Sequence, residues 1–220
     1  MPQISSIHVM PLLQIFNFKN ATIALWEITE SEDELQQLAE HSEMKDEAAK
    51  LKNAVRRREF LASRILVQEL QKKLELPVEL PQKDENGSPC LHQCAYKISL
   101  SHTEGMAAAI LTTGKAVGID LEPIREQILR LAPKFLSDEE FVQANSNPLH
   151  TTLIWSIKET IYKLYSKKKL LFAKHMRVQD FTPDPKGGTA FATLSVNNTT
   201  ETYLVEYRLL NNLVLTWCAT

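Results

Sequence analysis

The chain runs twice through the same order of elements, strands first, then helix, then strands again, and each pass takes about half of its 220 residues. Strands and helices combined in this way predict an α+β fold. A pass of this length is enough for one small domain with its own core. The sequence therefore predicts two similar α/β lobes, residues 1–112 and 113–220, although no internal sequence repeat accompanies them.

Hydrophobic periodicity and turn residues define the individual elements. In the first half, strands are predicted at residues 8–13, 22–28, 96–101 and 106–111, and helices at 31–43 and 46–74. In the second half, strands are predicted at residues 116–122, 178–181, 190–196, 201–210 and 213–218. A short helix is predicted after Ser137 and a longer one over 151–165.

Composition narrows the class of protein. The 25 Lys and Arg residues nearly balance the 27 Asp and Glu residues, which argues against bulk nucleic-acid binding and leaves local anionic partners. No apolar run approaches the roughly 18 residues of a membrane helix. Residues 1–18 show no secretory leader, and the odd number of cysteines implies no disulfide framework. We therefore expect a cytoplasmic protein that binds neither nucleic acid nor a membrane.

A short acidic motif ends one predicted strand. The sequence Gly-Ile-Asp-Leu-Glu occupies residues 118–122, and alternation along a strand places Asp120 and Glu122 on the same face. A half-buried strand with a solvated face explains this pattern at least as well as a functional site does. The functional interpretation is a site for a hard cation, because Mg²⁺ binds through a few carboxylates and completes its shell with water and phosphate oxygens.

A second motif lies in the predicted helix of the second half. Its sequence is Trp-Ser-Ile-Lys-Glu-Thr-Ile-Tyr-Lys, and helical spacing places Trp155, Glu159 and Lys163 on one face. The ordinary explanation is a surface Glu–Lys pair, worth about 0.2–0.5 kcal/mol, beside a packing tryptophan. The functional explanation is a third carboxylate and an ammonium group that face a phosphorylated substrate, as in metal-assisted transfer with leaving-group stabilisation.

Two further groups point to anion binding. Ser101 and His102 end a predicted strand, and a phosphate contact explains them better than a hydrolytic triad, since no matching order of acid and nucleophile is present. Lys50, Lys52 and Arg64 lie in a predicted basic helix. This helix has either a simple solvated face or one or two side chains that contact phosphate.

Taken together over about residues 45–175, these motifs resemble the 4′-phosphopantetheinyl transferases, in particular the surfactin-synthetase-type branch. In chain order they read RRREFLASR, NGSP, SLSHT, GIDLE and WSIKETIYK. The pair GIDLE and WSIKETIYK, at this spacing, is specific to that superfamily, whereas either motif alone is weak. The resemblance implies a monomer of two pseudo-symmetric lobes with the active site between them.

The resemblance also implies a reaction and a set of roles. Such enzymes are holo-[carrier protein] synthases, which transfer the 4′-phosphopantetheine group of coenzyme A to a serine hydroxyl of an apo acyl, peptidyl or aryl carrier protein and release 3′,5′-ADP. Asp120, Glu122 and Glu159 would hold Mg²⁺, for which Mn²⁺ is a close substitute. Glu159 would act as the base, and Lys163 would stabilise or protonate the departing phosphate. The residues implied to bind coenzyme A are Lys50, Lys52, Arg64, Ser101 and His102.

One departure from the family pattern keeps a second hypothesis open. The family's usual Gly-Lys-Pro near the adenine end is replaced by Gly87-Ser88-Pro89, so a lysine contact to coenzyme A is missing. A non-catalytic module that binds coenzyme A or a carrier protein on the same fold would tolerate this loss. Another Mg²⁺-dependent phosphoryl transferase is disfavoured, because the sequence has no phosphate-binding loop of the GxxxxGK[ST] type.

A basic segment follows the second motif. Lys167, Lys168 and Lys169, with Lys174 and Arg177 beyond them, suit the docking of an acidic carrier protein. Cations near a helix C-terminus, placed there for stability and solubility, explain the same residues equally well.

Overall fold

The computed structural model describes residues 12–103, 105–167 and 170–220. Residues 8–11 of the first predicted strand, Glu104 and the lysines at 168 and 169 lie outside the described residues. Mixed helices and strands confirm the predicted α+β fold.

The described strands and helices alternate in groups along the chain. The strands are β1 (Leu12–Phe18), β2 (Ala21–Glu27), β3 (Gln82–Lys83), β4 (Pro89–Cys90), β5 (Lys97–Thr103), β6 (Met106–Thr112), β7 (Val117–Pro123), β8 (Met176–Val178), β9 (Gly188–Val196), β10 (Thr199–Leu210) and β11 (Leu213–Ala219). The helices are α1 (Glu32–Leu38), α2 (Ser42–Ala49), α3 (Ala54–Lys73), α4 (Ile128–Leu131), α5 (Asp138–Ala144), α6 (Pro148–Tyr165) and α7 (Phe172–His175), with a 3₁₀ turn at Ala132–Lys134.

Two antiparallel sheets form the framework. The first has the strand order β1-β2-β6-β5 and the second β7-β11-β10-β9-β8, while β3 and β4 form a separate short ribbon. The first sheet therefore uses residues 12–112 and the second residues 117–219. That each half is a domain in its own right stays a prediction.

Side-chain caps divide the helices differently from the sequence prediction. The helices predicted at 31–43 and 46–74 are wrong in their boundaries, because the chain breaks near Ala39 and again between Lys50 and Asn53. The Asn53 side chain accepts hydrogen bonds from the amides of Val55 and Arg56 and so begins α3 there. Polar groups that satisfy the first amides of a helix compete with continuation of the preceding helix.

The second half departs from its predicted boundaries in two places. Helix α6 begins at Pro148 rather than at residue 151, with the Asn147 side chain accepting from the His150 amide. The strand predicted at 178–181 lies two residues earlier, as β8.

Each sheet buries one face against a long helix and its other face against the other sheet. Helix α3 covers the first sheet with Leu61, Leu66 and Leu70, all with 0% exposure. Helix α6 covers the second sheet through Ile154, Ile157 and Ile161. The cluster between the sheets contains Ile23, Ala108 and Ile110 from the first and Val117, Ile119, Leu121, Leu215 and Trp217 from the second.

The edges of the two sheets meet at β5 and β7, and serine hydroxyls join them. Ser99 Oγ accepts a hydrogen bond from the Ile119 amide and Ser101 Oγ from the Leu121 amide, each at 3.1 Å. This side-chain contact satisfies edge amides of β7 that would otherwise be buried without a partner. Among the described residues, no helix is both long and apolar enough to cross a membrane.

Candidate active site

Helix α6 lies unusually close to β7, and this close packing brings the acidic motif of β7 into contact with side chains of α6. Gly118 has no side chain, and a Cβ atom there would meet the Thr160 carbonyl oxygen at 2.0 Å. Asp120 and Glu122 follow at the same face of the strand and both contact α6 side chains. The glycine therefore allows α6 to lie close enough for its side chains to reach both carboxylates.

Asp120 is buried, with 3% exposure, and three donors surround it. Its Oδ1 accepts from Ser101 Oγ at 3.1 Å and from Lys163 Nζ at 2.8 Å, and its Oδ2 accepts from Ser156 Oγ at 2.9 Å. The donors come from β5 and α6, so this carboxylate is a junction between the two halves of the molecule.

Lys163 spans the same junction. Its Nζ donates to the Ile119 carbonyl at 2.9 Å and to Ser101 Oγ at 3.0 Å, in addition to Asp120. About a quarter of the side chain remains exposed. The ammonium group is thus held against the middle of β7 while it is still accessible from outside.

Glu122 is held by an aromatic cluster. Trp155 Nε1 donates to Glu122 Oε1 at 3.0 Å, and the Trp155 ring packs between Phe135 and Phe172. Burial raises the pKa of Glu122, and the neighbouring Asp120 charge raises it further. Trp155 therefore binds the acidic motif through a direct hydrogen bond as well as packing in the aromatic cluster.

Glu159 is the most perturbed carboxyl group of the site. Burial, followed by the Asp120 charge, raises its pKa to about 7, and Lys163 opposes the shift. Glu122 adds to the repulsion, so the three carboxylates influence one another electrostatically. No set of three or more His, Cys, Asp or Glu side chains is arranged as a ready metal site in the part of the chain that is described.

The structure places Ser101 in the junction. Its hydroxyl donates to Asp120 and accepts from Lys163 and from the Leu121 amide, which uses its one proton and both lone pairs. The side chain is also buried, with 7% residue exposure. The predicted phosphate contact through this hydroxyl would therefore require one of these bonds to break.

His102, the next residue, faces a basic region. Its Nδ1 lies 3.3 Å from Glu59 Oε2, close enough for an ion pair but without hydrogen-bond alignment. Burial lowers the pKa of His102 despite Glu59, and Arg64, Arg56 and Lys163 lower it further. His102, Arg64 and Lys163 thus lie near one another, as an anion site would need.

The two predicted lysines of the first half lie apart from this group. Lys50 ends α2 and Lys52 lies in the following loop, and both are exposed. In the described ranges, no hydrogen bond or ion pair connects either side chain to the carboxylates or to His102. Arg64, in contrast, stacks on the Phe60 ring at 3.8 Å, and burial lowers its pKa to about 10.

A cavity of about 520 Å³ opens beside Lys163. The turn at Asn86 to Pro89, the start of β5, the loop before β7 and the end of α6 line it. Lys97 and Lys115 lie on its walls together with Ser88. The three carboxylates do not line the cavity, so Lys163 is the point at which it meets the acidic site.

Sequence reasoning missed several partners of the site. Glu59 was not predicted as the neighbour of His102, nor Ser156 as a donor to Asp120. The fully buried Lys158 pairs with Glu140 at 2.6 Å on the far side of α6. The sequence did contain a pattern that indicates Ser156. Ser156, Thr160 and Lys163 follow one another at helical spacing and so share the face of α6 that packs on β7 at Gly118.

Comparison with protein families identifies the class. Residues 116–218 match the family model of the 4′-phosphopantetheinyl transferase superfamily, and residues 46–112 match that of the 4′-phosphopantetheinyl transferase N-terminal domain. The two matches span most of the chain and contain the three carboxylates, Lys163, Ser101, His102 and Arg64. The chain therefore belongs to the 4′-phosphopantetheinyl transferase superfamily and is a transferase. No curated protein matched the sequence.

Proposed function

We propose that the protein transfers the 4′-phosphopantetheine group of coenzyme A to a serine hydroxyl of an apo carrier protein, with Mg²⁺, and acts as a holo-[carrier protein] synthase of the surfactin-synthetase type. The observation that carries this proposal is the junction of Asp120, Glu159 and Lys163 between β7 and α6. The serine oxygen bonds to the phosphorus that bears pantetheine, and that phosphorus loses its bond to 3′,5′-ADP. The protein would act as a monomer.

The donor set fits a hard divalent cation. Mg²⁺ prefers oxygen ligands, keeps several waters and needs only one or two carboxylates beside substrate phosphates, so a preformed three-carboxylate cage is not required. Burial, and after it repulsion by neighbouring carboxylates, raises the pKa of Glu159 and of Glu122, and a cation between them would offset both effects. Asp120, Glu122 and Glu159 would hold the ion, which supplies positive charge to the pyrophosphate oxygens.

Glu159 and Lys163 divide the proton chemistry. A carboxyl group with a pKa of about 7 is matched to a general base near neutral pH, so Glu159 takes the proton of the carrier serine. Lys163 is paired with Asp120 and is partly exposed. Its ammonium group would stabilise the charge that develops on the departing nucleotide phosphate.

The nucleotide end of coenzyme A suits the cavity beside Lys163. Its walls provide Lys97 and Lys115, which supply positive charge near Ser88, where the family's usual lysine is absent. Arg64 and His102 lie near Lys163 without lining the cavity and would contact the remaining phosphate. Lys50 and Lys52 are proposed as ligands on the resemblance alone, since no contact among the described residues joins them to this region.

The carrier protein would approach across the segment that follows α6. Leu171 is 64% exposed, and Lys174 and Arg177 lie beside it on α7 and β8. Phe172 connects this surface to the site, because it packs on Trp155, which holds Glu122. An exposed apolar residue with adjacent cations suits the acidic, amphipathic surface of a carrier protein.

Intact-mass spectrometry tests the reaction. An apo acyl carrier protein is incubated with the protein, coenzyme A and Mg²⁺, and we expect a gain of one phosphopantetheine group. EDTA and Glu159→Gln should each abolish the gain, whereas Glu201→Gln, on the distant β10, should not. Peptidyl and aryl carrier proteins are tested in the same way.

The alternative is a non-catalytic module that binds coenzyme A or a carrier protein. It predicts no mass gain with any carrier class, although coenzyme A still binds in a calorimetric titration. It also predicts that Glu159→Gln leaves the cellular function intact. A mass gain that disappears with Glu159→Gln would exclude it.

A further inference from the structure

A chain of hydroxyl groups leads from the interior of the second half to Asp120. Thr160 Oγ1 lies 2.6 Å from Thr216 Oγ1, and Thr216 Oγ1 lies 2.9 Å from Ser156 Oγ. Ser156 Oγ is 2.9 Å from Asp120 Oδ2. The three hydroxyl residues have exposures of 0%, so water does not compete for these bonds.

The carboxylate sets the direction of the first bond in this chain and favours one direction for the others. An ionised Asp120 only accepts, so the single Ser156 proton is directed to Oδ2. Ser156 Oγ can then only accept from Thr216, whose single proton is shared between Ser156 Oγ at 2.9 Å and the Ser156 carbonyl at 3.0 Å. Thr160 in turn has Thr216 Oγ1 at 2.6 Å and the Thr216 carbonyl at 3.3 Å as acceptors. Donation toward the carboxylate therefore aligns the bonds of the chain, and bonds aligned in this way polarise one another.

We propose that Ser156, supported by Thr216 and Thr160, is a positioning residue that fixes the Asp120 carboxylate for the reaction proposed above. Ser156 holds Oδ2 on the α6 side, while Ser101 and Lys163 hold Oδ1 on the side of the first sheet. With both oxygens tethered, the plane of the carboxylate cannot turn. Its remaining acceptor directions are then fixed relative to Glu122 and Glu159.

The hydroxyl chain ties this orientation to two separate elements. Ser156 and Thr160 belong to α6, and Thr216 belongs to β11, the strand paired with β7 at Thr216 and Asp120. Thr216 Oγ1 lies within hydrogen-bond distance of both the Ser156 hydroxyl and the Ser156 carbonyl, and this pair of contacts keeps the helix at a set distance from the strand. Partners behind a metal ligand commonly contribute 10- to 100-fold in metal affinity or activity, roughly the effect expected for Ser156.

The test measures Mn²⁺ binding to the protein alone, by electron paramagnetic resonance, in Ser156→Ala, Thr216→Val and the double variant. We expect Ser156→Ala to weaken Mn²⁺ binding by about 10- to 100-fold. Thr216→Val keeps the side-chain volume and should weaken it several-fold. In the double variant, Thr216→Val should add nothing, because the chain is already broken at Ser156.

Thr152→Val is the matched control. Thr152 lies one helical turn before Ser156, is 1% exposed and loses a comparable hydrogen bond, to the Pro148 carbonyl at 2.7 Å, without any link to Asp120. It should leave Mn²⁺ binding unchanged. In the transfer assay, Ser156→Ala should lower kcat while the KM for coenzyme A stays near that of the parent protein.

The outcomes separate this inference from the transfer reaction on which it rests. Unchanged Mn²⁺ binding in Ser156→Ala, or an equal loss in Thr152→Val, would overturn the positioning role and leave the reaction standing. The positioning role would also be overturned, and the reaction would stand, if the parent protein transfers phosphopantetheine but binds no Mn²⁺ either with or without coenzyme A. Weakened Mn²⁺ binding in Ser156→Ala, in a protein that modifies no carrier, would support the positioning role and contradict the proposed reaction.

Discussion

Two lysines of α6, five residues apart, each pair with a carboxylate and have opposite environments. Lys158 is completely buried, and its Nζ donates to Glu140 Oε2 at 2.6 Å and to the Phe135 carbonyl at 2.7 Å. Lys163 faces β7 and pairs with Asp120 at 2.8 Å, but a quarter of its side chain is exposed. The same residue type in one motif is thus a fixed structural element on one face of the helix and an accessible charge on the other.

Lys158 explains what the far face of α6 does. Glu140, its partner, also accepts from the amides of Ser137 and Val178 and so connects α5 and β8 to the helix. Burial lowers the pKa of Lys158, although Glu140 opposes the shift. A buried pair with these additional bonds anchors neighbouring elements, whereas the Lys163 pair leaves its charge available to a ligand.

The largest expected effect separates the two lysines by activity. Lys163→Met should lower kcat for phosphopantetheine transfer by about 100- to 10,000-fold, the usual contribution of a positioned proton donor or its charge. The free energy of unfolding should fall less than in Lys158→Met, because the buried Asp120 carboxylate keeps Ser101 and Ser156 as donors. Steady-state kinetics and urea unfolding of the same preparation measure both. Full activity in Lys163→Met would contradict the claim that Lys163 acts in the reaction while Lys158 is structural.

The second prediction concerns stability. Lys158→Met should lower the free energy of unfolding by about 3–5 kcal/mol, because it leaves the Glu140 charge buried without its cation. Urea unfolding followed by circular dichroism measures this loss.

The companion variant isolates the cause. Adding Glu140→Gln to Lys158→Met removes the uncompensated charge and should restore part of the lost stability. If the double variant is less stable than Lys158→Met alone, lost packing rather than the buried charge explains the effect.

The third prediction concerns Glu159, on the same face of α6 as Lys163, and the pH dependence of the free energy of unfolding. The folded-state pKa of about 7 lies above the ordinary value of 4.5, so between these pH values the folded protein keeps a proton that the unfolded chain releases. Its contribution to stability is therefore present at low pH and disappears as pH rises through 7. Glu159→Gln should raise the free energy of unfolding by about 2–3 kcal/mol at pH 8 and by little at pH 4.5. Equal gains at both pH values would contradict the raised pKa.

The smallest effect is expected at the surface beyond α6. Lys174→Glu should raise the KM for an acidic carrier protein several-fold at low salt and leave the KM for coenzyme A unchanged, because exposed charges act mainly on the encounter rate. Lys186→Glu makes the same charge change in an exposed turn between β8 and β9 and is the control. The docking surface is excluded if both variants behave alike or if added salt has no influence.

The sequence was informative where one chemical pattern repeats over several residues. The alternation in residues 118–122 predicted a shared face for Asp120 and Glu122, and helical spacing predicted a shared face for Trp155 and Lys163. Hydrogen bonds join these two faces, which the spacing alone did not predict. Element types were predicted well by the same periodicity. The cap at Asn53 was missed because a single polar side chain outweighed a continuous apolar stripe.

Contacts between distant parts of the chain were beyond such patterns. Ser101 and Asp120 are close in the fold only because the edges of two sheets meet, and nothing in either segment alone specifies that meeting. Ser101 was therefore assigned to phosphate, although its hydroxyl is already satisfied by protein groups. Lys158 was passed over for the same reason, because its partner Glu140 lies eighteen residues earlier in another helix.

The serine contacts between β5 and β7 have a consequence for alignment of the two sheets. Ser99 and Ser101 are two residues apart, and so are their donors at Ile119 and Leu121. A slip by one residue would turn the hydroxyls to the wrong face, and a slip by two would move Asp120 about 7 Å along the strand. The two hydrogen bonds therefore fix the register between β5 and β7. Only this register brings Lys163, Ser101 and Asp120 within hydrogen-bond distance of one another.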